Sequence, residues 1–247
     1  MIAIARREFL ALWRTPTGWA LAAASQLVLA WWFLSLVDRY RREYEPALTR
    51  VDSALGAGEL IIAPWFGGLP TLTLVLMITA ALGVRLVTDD RRWGGLSLAL
   101  AGPGRAGAIA AGKYLGGLGY LTVLLCLWLT LPLSLAIGTT LDLPALASAA
   151  LGMWLATAAL LALSLAMAAL AETPAAAAGL AFGSGLLLML IKGGEAPGAL
   201  AWWGLGGHLQ GFLDARVHAA DIAYFVTLVT TGLLATTARL MQLREAP

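Results

Sequence analysis

The sequence predicts an all-α, polytopic membrane protein with six transmembrane helices. Two observations carry this prediction. First, six long runs contain no charged residue: Thr15–Val37, Leu60–Val84, Tyr114–Leu141, Leu143–Ala171, Thr173–Ile191 and Ile222–Ala238. A helix needs about 20 mostly apolar residues to cross a bilayer core, and each run meets or approaches that length. Second, charged residues make up only 12% of the 247 and fall almost entirely between the runs, while 60% are hydrophobic and mean hydropathy is +0.82. Such values lie outside the soluble globular range. The spans are expected at about 17–37, 62–86, 114–138, 144–170, 174–191 and 221–240, in one membrane domain over 1–247.

Those spans and their connections use nearly the whole chain. No stretch reaches the roughly 50 residues a separate soluble domain needs, so any nucleotide-binding domain is expected on another polypeptide. The net charge of +2 offers no case for a nucleic-acid partner, and a single cysteine, Cys126, excludes an internal disulfide. The first run is too long for a signal-peptide core and has no cleavage pattern, so it reads as a retained helix.

Residues 1–16 form an amphipathic interfacial helix by pattern. Ile2, Ala5, Phe9, Leu12 and Trp13 share one face, with Arg6, Arg7 and Arg14 on or beside the other. Such a helix suits a lipid headgroup region, which makes membrane lipid a partner. Pro16 is expected to turn the chain before the first span. The polar stretch 38–59 leads to span two, and 85–113 is the longest connection on the N-terminal side. The short links at Asp142 and Glu172–Pro174 make spans three, four and five antiparallel neighbours. Residues 192–221 form a second outer segment that holds both histidines.

Basic residues orient the chain. With the N-terminus inside, ten lie on that side (Arg6, Arg7, Arg14, Arg85, Arg91, Arg92, Arg105, Lys113, Arg239, Arg244) and six outside (Arg39, Arg41, Arg42, Arg50, Lys192, Arg216). That favours both termini in the cytoplasm. Trp31, Trp32 and Trp65 near the outer ends, and Trp19 near the inner end, fit an aromatic belt.

Three patterns point towards chemistry the chain does not complete. Gly107 through Gly112-Lys113 fits G-x-x-x-x-G-K, but Tyr114 stands where a phosphate loop needs Ser or Thr, and no strand precedes it. The residues read as a helix entering span three, with Lys113 at headgroup level. Ser184, between Gly183 and Gly185, lacks a histidine at its depth to act as base. Gly112-x-x-x-Gly116 and Gly179-x-x-x-Gly183 read instead as small residues for close helix packing. His208 and His218, near Asp214 and Asp221, match no compact metal motif. Intramembrane charge is missing as well: the runs offer Gln26 and scattered Ser and Thr. Self-powered pumps and proton-coupled carriers bury Asp, Glu, Lys or Arg, so energy is expected from outside the chain.

The connection after span two reads Thr88-Asp-Asp-Arg-Arg-Trp-Gly-Gly-Leu-Ser-Leu-Ala-Leu-Ala-Gly-Pro-Gly104, then Arg105 through Gly112-Lys113-Tyr114. This resembles the ABC-2 family of ABC-transporter permeases. There an acidic residue, a Gly-Thr pair, a leucine-rich helix, a proline and a Gly-Lys stretch follow span two. Asp90, Gly94, Leu96, Leu98, Leu100, Pro103 and Gly112-Lys113 take those places, with Asp90 for the usual Glu and Gly95 for the usual Thr. Arg6-Arg7-Glu8-Phe9 through Pro16 resembles the family's N-terminal connecting helix. His208-Leu-Gln-Gly-Phe-Leu213 and Asp221-Ile-Ala-Tyr-Phe225 resemble the gliding-motility-associated and nitrous-oxide-reductase-maturation branches.

The resemblance implies a non-catalytic permease subunit in the bacterial cytoplasmic (inner) membrane. It implies pairing with a second permease copy or paralogue and export driven by two separate ABC ATPase subunits, which hold the ATP and Mg. This chain would bind no cofactor. An extracytoplasmic accessory protein is compatible with it. The implied coupling helix carries Leu96, Leu98 and Leu100 behind Gly94, rimmed by Asp89, Asp90, Arg91 and Arg92, and an apolar helix needs a groove to fill. Arg6, Arg7, Phe9 and Trp13 mark the interfacial helix. A stand-alone secondary carrier or channel is the alternative, and the uncharged spans argue against it.

Overall fold

The structure, a computed structural model, describes residues 1–44, 57–92, 106–138, 141–191 and 202–245. Helices dominate the described residues, and none of these residues lies in a strand. In order they are α1 (Ile2–Arg14), α2 (Pro16–Arg39) with a π-helical turn at Tyr40–Tyr44, α3 (Ala57–Gly67), α4 (Leu69–Arg92) and α5 (Ala106–Ser134). Then come α6 (Leu143–Leu170), α7 (Pro174–Leu190), α8 (Leu205–Leu213) and α9 (Ala219–Glu245). Among the described residues, five stretches are long and apolar enough to cross a membrane: Pro16–Tyr44, Leu60–Thr88, Ala106–Ile137, Leu143–Leu170 and Ala219–Arg244. The remaining charge-free run forms the shorter apolar helix α7, of 17 residues.

The turn at Pro16 is where the sequence places it. Thr15 is extended (φ −99°, ψ 141°) and Pro16 opens α2. Proline disfavours a helical residue before it, and at the first helical position its missing N–H breaks no bond. Gly18 lies so close to the Leu12 carbonyl that a Cβ would collide with it. The second span is not the single rod expected from 62–86. It breaks at Gly68, between Pro64 in α3 and Pro70 in α4. The Thr71 hydroxyl donates to the Trp65 carbonyl freed by the break. Prolines and paired glycines account for such kinks.

Helix α6 is the centre of the bundle. Its most apolar stretch is 72% buried, against 22% for that of α9 and 28% for that of α2. Asp142 caps it by accepting from the Ala145 amide at 3.1 Å, and Thr173 caps α7 likewise on Ala176 at 3.2 Å. Four neighbours reach α6 through a glycine: Gly83 of α4 on Ser164, Gly117 of α5 on Leu161, Gly185 of α7 on Leu160, and Gly232 of α9 on Ala162. Small residues let backbones approach closely where lipid supplies no hydrophobic drive between helices.

Several boundaries differ from expectation. Helix α4 runs on through Asp89–Arg92, into the stretch expected as a connection, while α5 begins at Ala106, so residues 107–113 are helical as their pattern suggests. The segment that follows α7 in sequence contains a packed helix, α8, over Leu205–Leu213, which buries Leu205, Leu209 and Phe212. Phe212 lies on Gly152 of α6, and the Ser148 hydroxyl donates to the Phe212 carbonyl at 2.8 Å. The Gly112/Gly116 pair is a packing stripe, whereas a Cβ at Gly179 or Gly183 would meet nothing within 4 Å in the described residues.

Candidate functional site

The starts of α1 and α5 and the last turns of α9 meet at one end of the bundle, beside the last turns of α4. Here Ala106, Ile109, Ala110 and Leu240 form a small apolar cluster with Ile4 and Leu243. Both flanks of the 93–105 connection lie here, so we term it the loop end. Helix α1 lies along a glycine stripe on α5. A Cβ at Gly112 would stand 2.8 Å from Ile4 Cβ, one at Gly116 2.6 Å from Glu8 Cβ, and one at Gly119 3.2 Å from the Phe9 ring. The residues that face the bundle are Ile4, Ala5, Glu8, Phe9, Leu12 and Trp13, while Arg6, Arg7 and Arg14 face away. Ile2, expected on the apolar face, is 79% exposed. The helix therefore turns its apolar stripe onto α5, with Glu8 inside that stripe.

Polar bonds then clamp the elbow between α1 and α2. Arg85 of α4 donates to Thr17 Oγ1 at 3.0 Å and to Thr15 Oγ1 at 3.2 Å. Tyr120 of α5 donates to the Gly18 carbonyl at 2.7 Å, and Trp19 Nε1 donates to the Trp13 carbonyl at 2.8 Å. The Trp13 ring packs against Phe9, Trp19 and Tyr120, with centroids 6.4, 5.0 and 5.0 Å away. Lys113 turns inward rather than out to the lipid. Its side chain is 5% exposed, and its ammonium donates to the Leu86 carbonyl and sits 3.3 Å from Glu8 Oε1. Glu8 also holds Arg7 Nη2 at 2.6 Å.

The sequence-derived residues divide accordingly. Phe9 and Trp13 pack on α5, and Arg6 and Arg7 face outward. Asp89, Asp90, Arg91 and Arg92 fall in the last turns of α4, and Gly94, Leu96, Leu98 and Leu100 lie outside the described residues. Glu8, Arg85, Lys113 and Tyr120 were not singled out as functional. Their signal was available: Lys113 and Tyr120 flank a Gly112, Gly116, Gly119 stripe, and a stripe at that spacing needs a helix to fill it.

The opposite end carries a second cluster. His208 Nδ1 is 2.7 Å from Asp221 Oδ1 and Nε2 is 2.9 Å from the Trp202 carbonyl. The ring stacks on Tyr224 at 4.0 Å, and Tyr224 donates to the Trp203 carbonyl at 2.8 Å. His218 lies 3.6 Å from the other Asp221 oxygen. His208 thus joins α8 to α9 as a packing residue. No group of three His, Cys, Asp or Glu able to hold a metal occurs among the described residues. The Gly107–Lys113 segment forms the first two turns of α5, so its amides from Ala110 onward serve helix bonds and no phosphate loop is formed there.

Long apolar helices around a buried central one, with a polar clamp across one end, define a multi-pass membrane protein. The profile of the ABC-2 type transporter family matches residues 1–209. The chain belongs to that family and is an ABC-transporter permease, a membrane transport component. Comparison with curated proteins gives no match.

Proposed function

We propose that this chain is the non-catalytic permease subunit of an ATP-driven exporter in a bacterial inner membrane. On this reading α7 crosses the bilayer as the fifth of six spans, and both termini lie in the cytoplasm, as does the loop end. Residues 1–247 form one permease domain. It pairs with a second copy or a paralogue, in the gliding-motility-associated or nitrous-oxide-reductase-maturation manner. Two separate ATPase subunits bind the ATP and Mg, and this chain binds no cofactor. Leu96, Leu98 and Leu100 enter a groove on the ATPase, with Gly94 before them and Asp89, Asp90, Arg91 and Arg92 as the polar rim. The outward Arg6, Arg7 and Arg14 of α1 face anionic headgroups.

The observation that carries this reading is the clamp at the loop end. The two helices flanking the 93–105 connection, α4 and α5, are the same two that hold α1 and the α1–α2 elbow. A push delivered at that connection therefore meets a packed, hydrogen-bonded joint, and domain-scale rocking needs such a rigid body. The test is co-purification with a separately encoded ATPase. Leu96→Asp with Leu98→Asp is expected to abolish the association while the permease still inserts. Undiminished association would refute the docking role. Flux through the purified permease alone, without ATP, would establish a carrier or channel instead.

A further inference from the structure

We infer that Lys113 is a positioning residue, a buried pin that makes α1 move as one body with the ends of α4 and α5. The inference rests on the permease reading for its mechanical purpose, though not for the pin itself. A lysine near the end of a membrane helix ordinarily extends its ammonium out to the headgroups. Lys113 does the reverse. It turns inward to 5% exposure and divides its donors between two other elements, the Leu86 carbonyl of α4 and the Glu8 carboxylate of α1. Burying an ammonium carries a large desolvation cost, and a methionine of similar volume would fill the space without it. What methionine cannot do is connect. A helical carbonyl keeps a second lone pair after its own helix bond, so Leu86 can accept from Lys113 without α4 unwinding.

The placement of the pin gives it a role. Leu86 and Lys113 each lie within about two helical turns of the connection, Leu86 before Arg92 and Lys113 after Ala106. Consecutive residues of α4 therefore hold both sides of the elbow. Arg85 grips Thr15 and Thr17 where α2 begins, and Leu86, through Lys113, grips Glu8 on α1. Apolar packing on the glycine stripe would let α1 slide along α5. A directional ion pair with a carbonyl behind it sets the register. Displacement of the α4 and α5 ends is then passed to α1, and through the elbow to α2.

Pulsed electron paramagnetic resonance tests this. In a Cys126→Ser background, nitroxides at the exposed positions Ala11→Cys on α1 and Ala81→Cys on α4 read their separation in nanodiscs. The isolated permease is expected to give one narrow distance distribution. The same distribution is expected in the ATPase complex with and without ATP. Lys113→Met is expected to broaden or split it in the isolated permease, and ATP then shifts the α1–α4 distance in the complex. Glu8→Gln keeps the side-chain shape and does the same, which covers the case in which Lys113→Met fails to accumulate. Both variants giving the wild-type distribution would overturn the pin. A wild-type distance that changes with ATP would overturn the single-body motion. The isolated-permease arm needs no ATPase, so failure to find one would sink the proposed ATP-driven role and leave the pin standing.

Discussion

The two ends of the bundle are held by different means. At the loop end the polar bonds join segments far apart in sequence. Glu8 and Lys113 are 105 residues apart, Thr15 and Arg85 70, and Gly18 and Tyr120 102. At the opposite end His208 reaches Asp221 across 13 residues and Tyr224 reaches Trp203 across 21, with one longer bond, from Ser148 to the Phe212 carbonyl, across 64. The first set fastens four helices into one joint. The second fastens one short helix, α8, to α9 and α6. Bonds of the second kind shape a local surface, whereas bonds of the first kind let a displacement at one segment reach another.

That contrast can be broken most severely at Gly116. A leucine there would drive its Cβ into Glu8 Cβ and the Ala5 carbonyl. Gly116→Leu is expected to cost about 3 kcal/mol by overpacking and to lift α1 from α5. Thermal unfolding in detergent, with limited proteolysis at the α1 arginines, would show both effects. An unshifted midpoint with α1 still protected would mean the loop-end joint is loose. His208→Ala at the opposite end removes two hydrogen bonds and a stacked ring. It is expected to cost about 2 kcal/mol, yet to leave the α1–α4 distance distribution and ATPase association as in the wild type. Loss of that association would erase the distinction between the ends. The smallest effect is expected at Gly179→Ala, where a Cβ meets open space. Protomer stability should rise by up to about 1 kcal/mol, because alanine favours a helix interior over glycine, and a loss of stability would place a neighbouring helix on that face.

Much of the frame was legible in the residues. Uncharged runs marked the long helices, because charge in a bilayer core is costly enough to be excluded. Thr15-Pro16 marked the elbow, because proline constrains its own residue and the one before it. The kink at Gly68 was equally available from Pro64, Gly67, Gly68 and Pro70, although run length alone hides it. Helix α8 was masked by its setting. Leu205, Leu209 and Phe212 have helical spacing, but Gly204, Gly206, Gly207 and Gly211 among them read as loop. The joint was hardest to read. Gly112-x-x-x-Gly116 and Gly179-x-x-x-Gly183 are the same pattern, and only the fold shows that one is filled by α1. Lys113 looked like a border lysine because a sequence records that a charge is near a helix end, not which way it turns.

The span between Glu8 and Lys113 also orders the birth of the molecule. At about 5–20 residues per second, a ribosome that has just made Glu8 delivers its partner about 5–20 seconds later. Until then the glycine stripe that receives α1 does not exist, although the Leu86 carbonyl that completes the pin is made 27 residues before Lys113. The first helix synthesised is thus seated only once α5 has been made. During that interval its exposed arginines and apolar stripe have only the membrane surface to rest on.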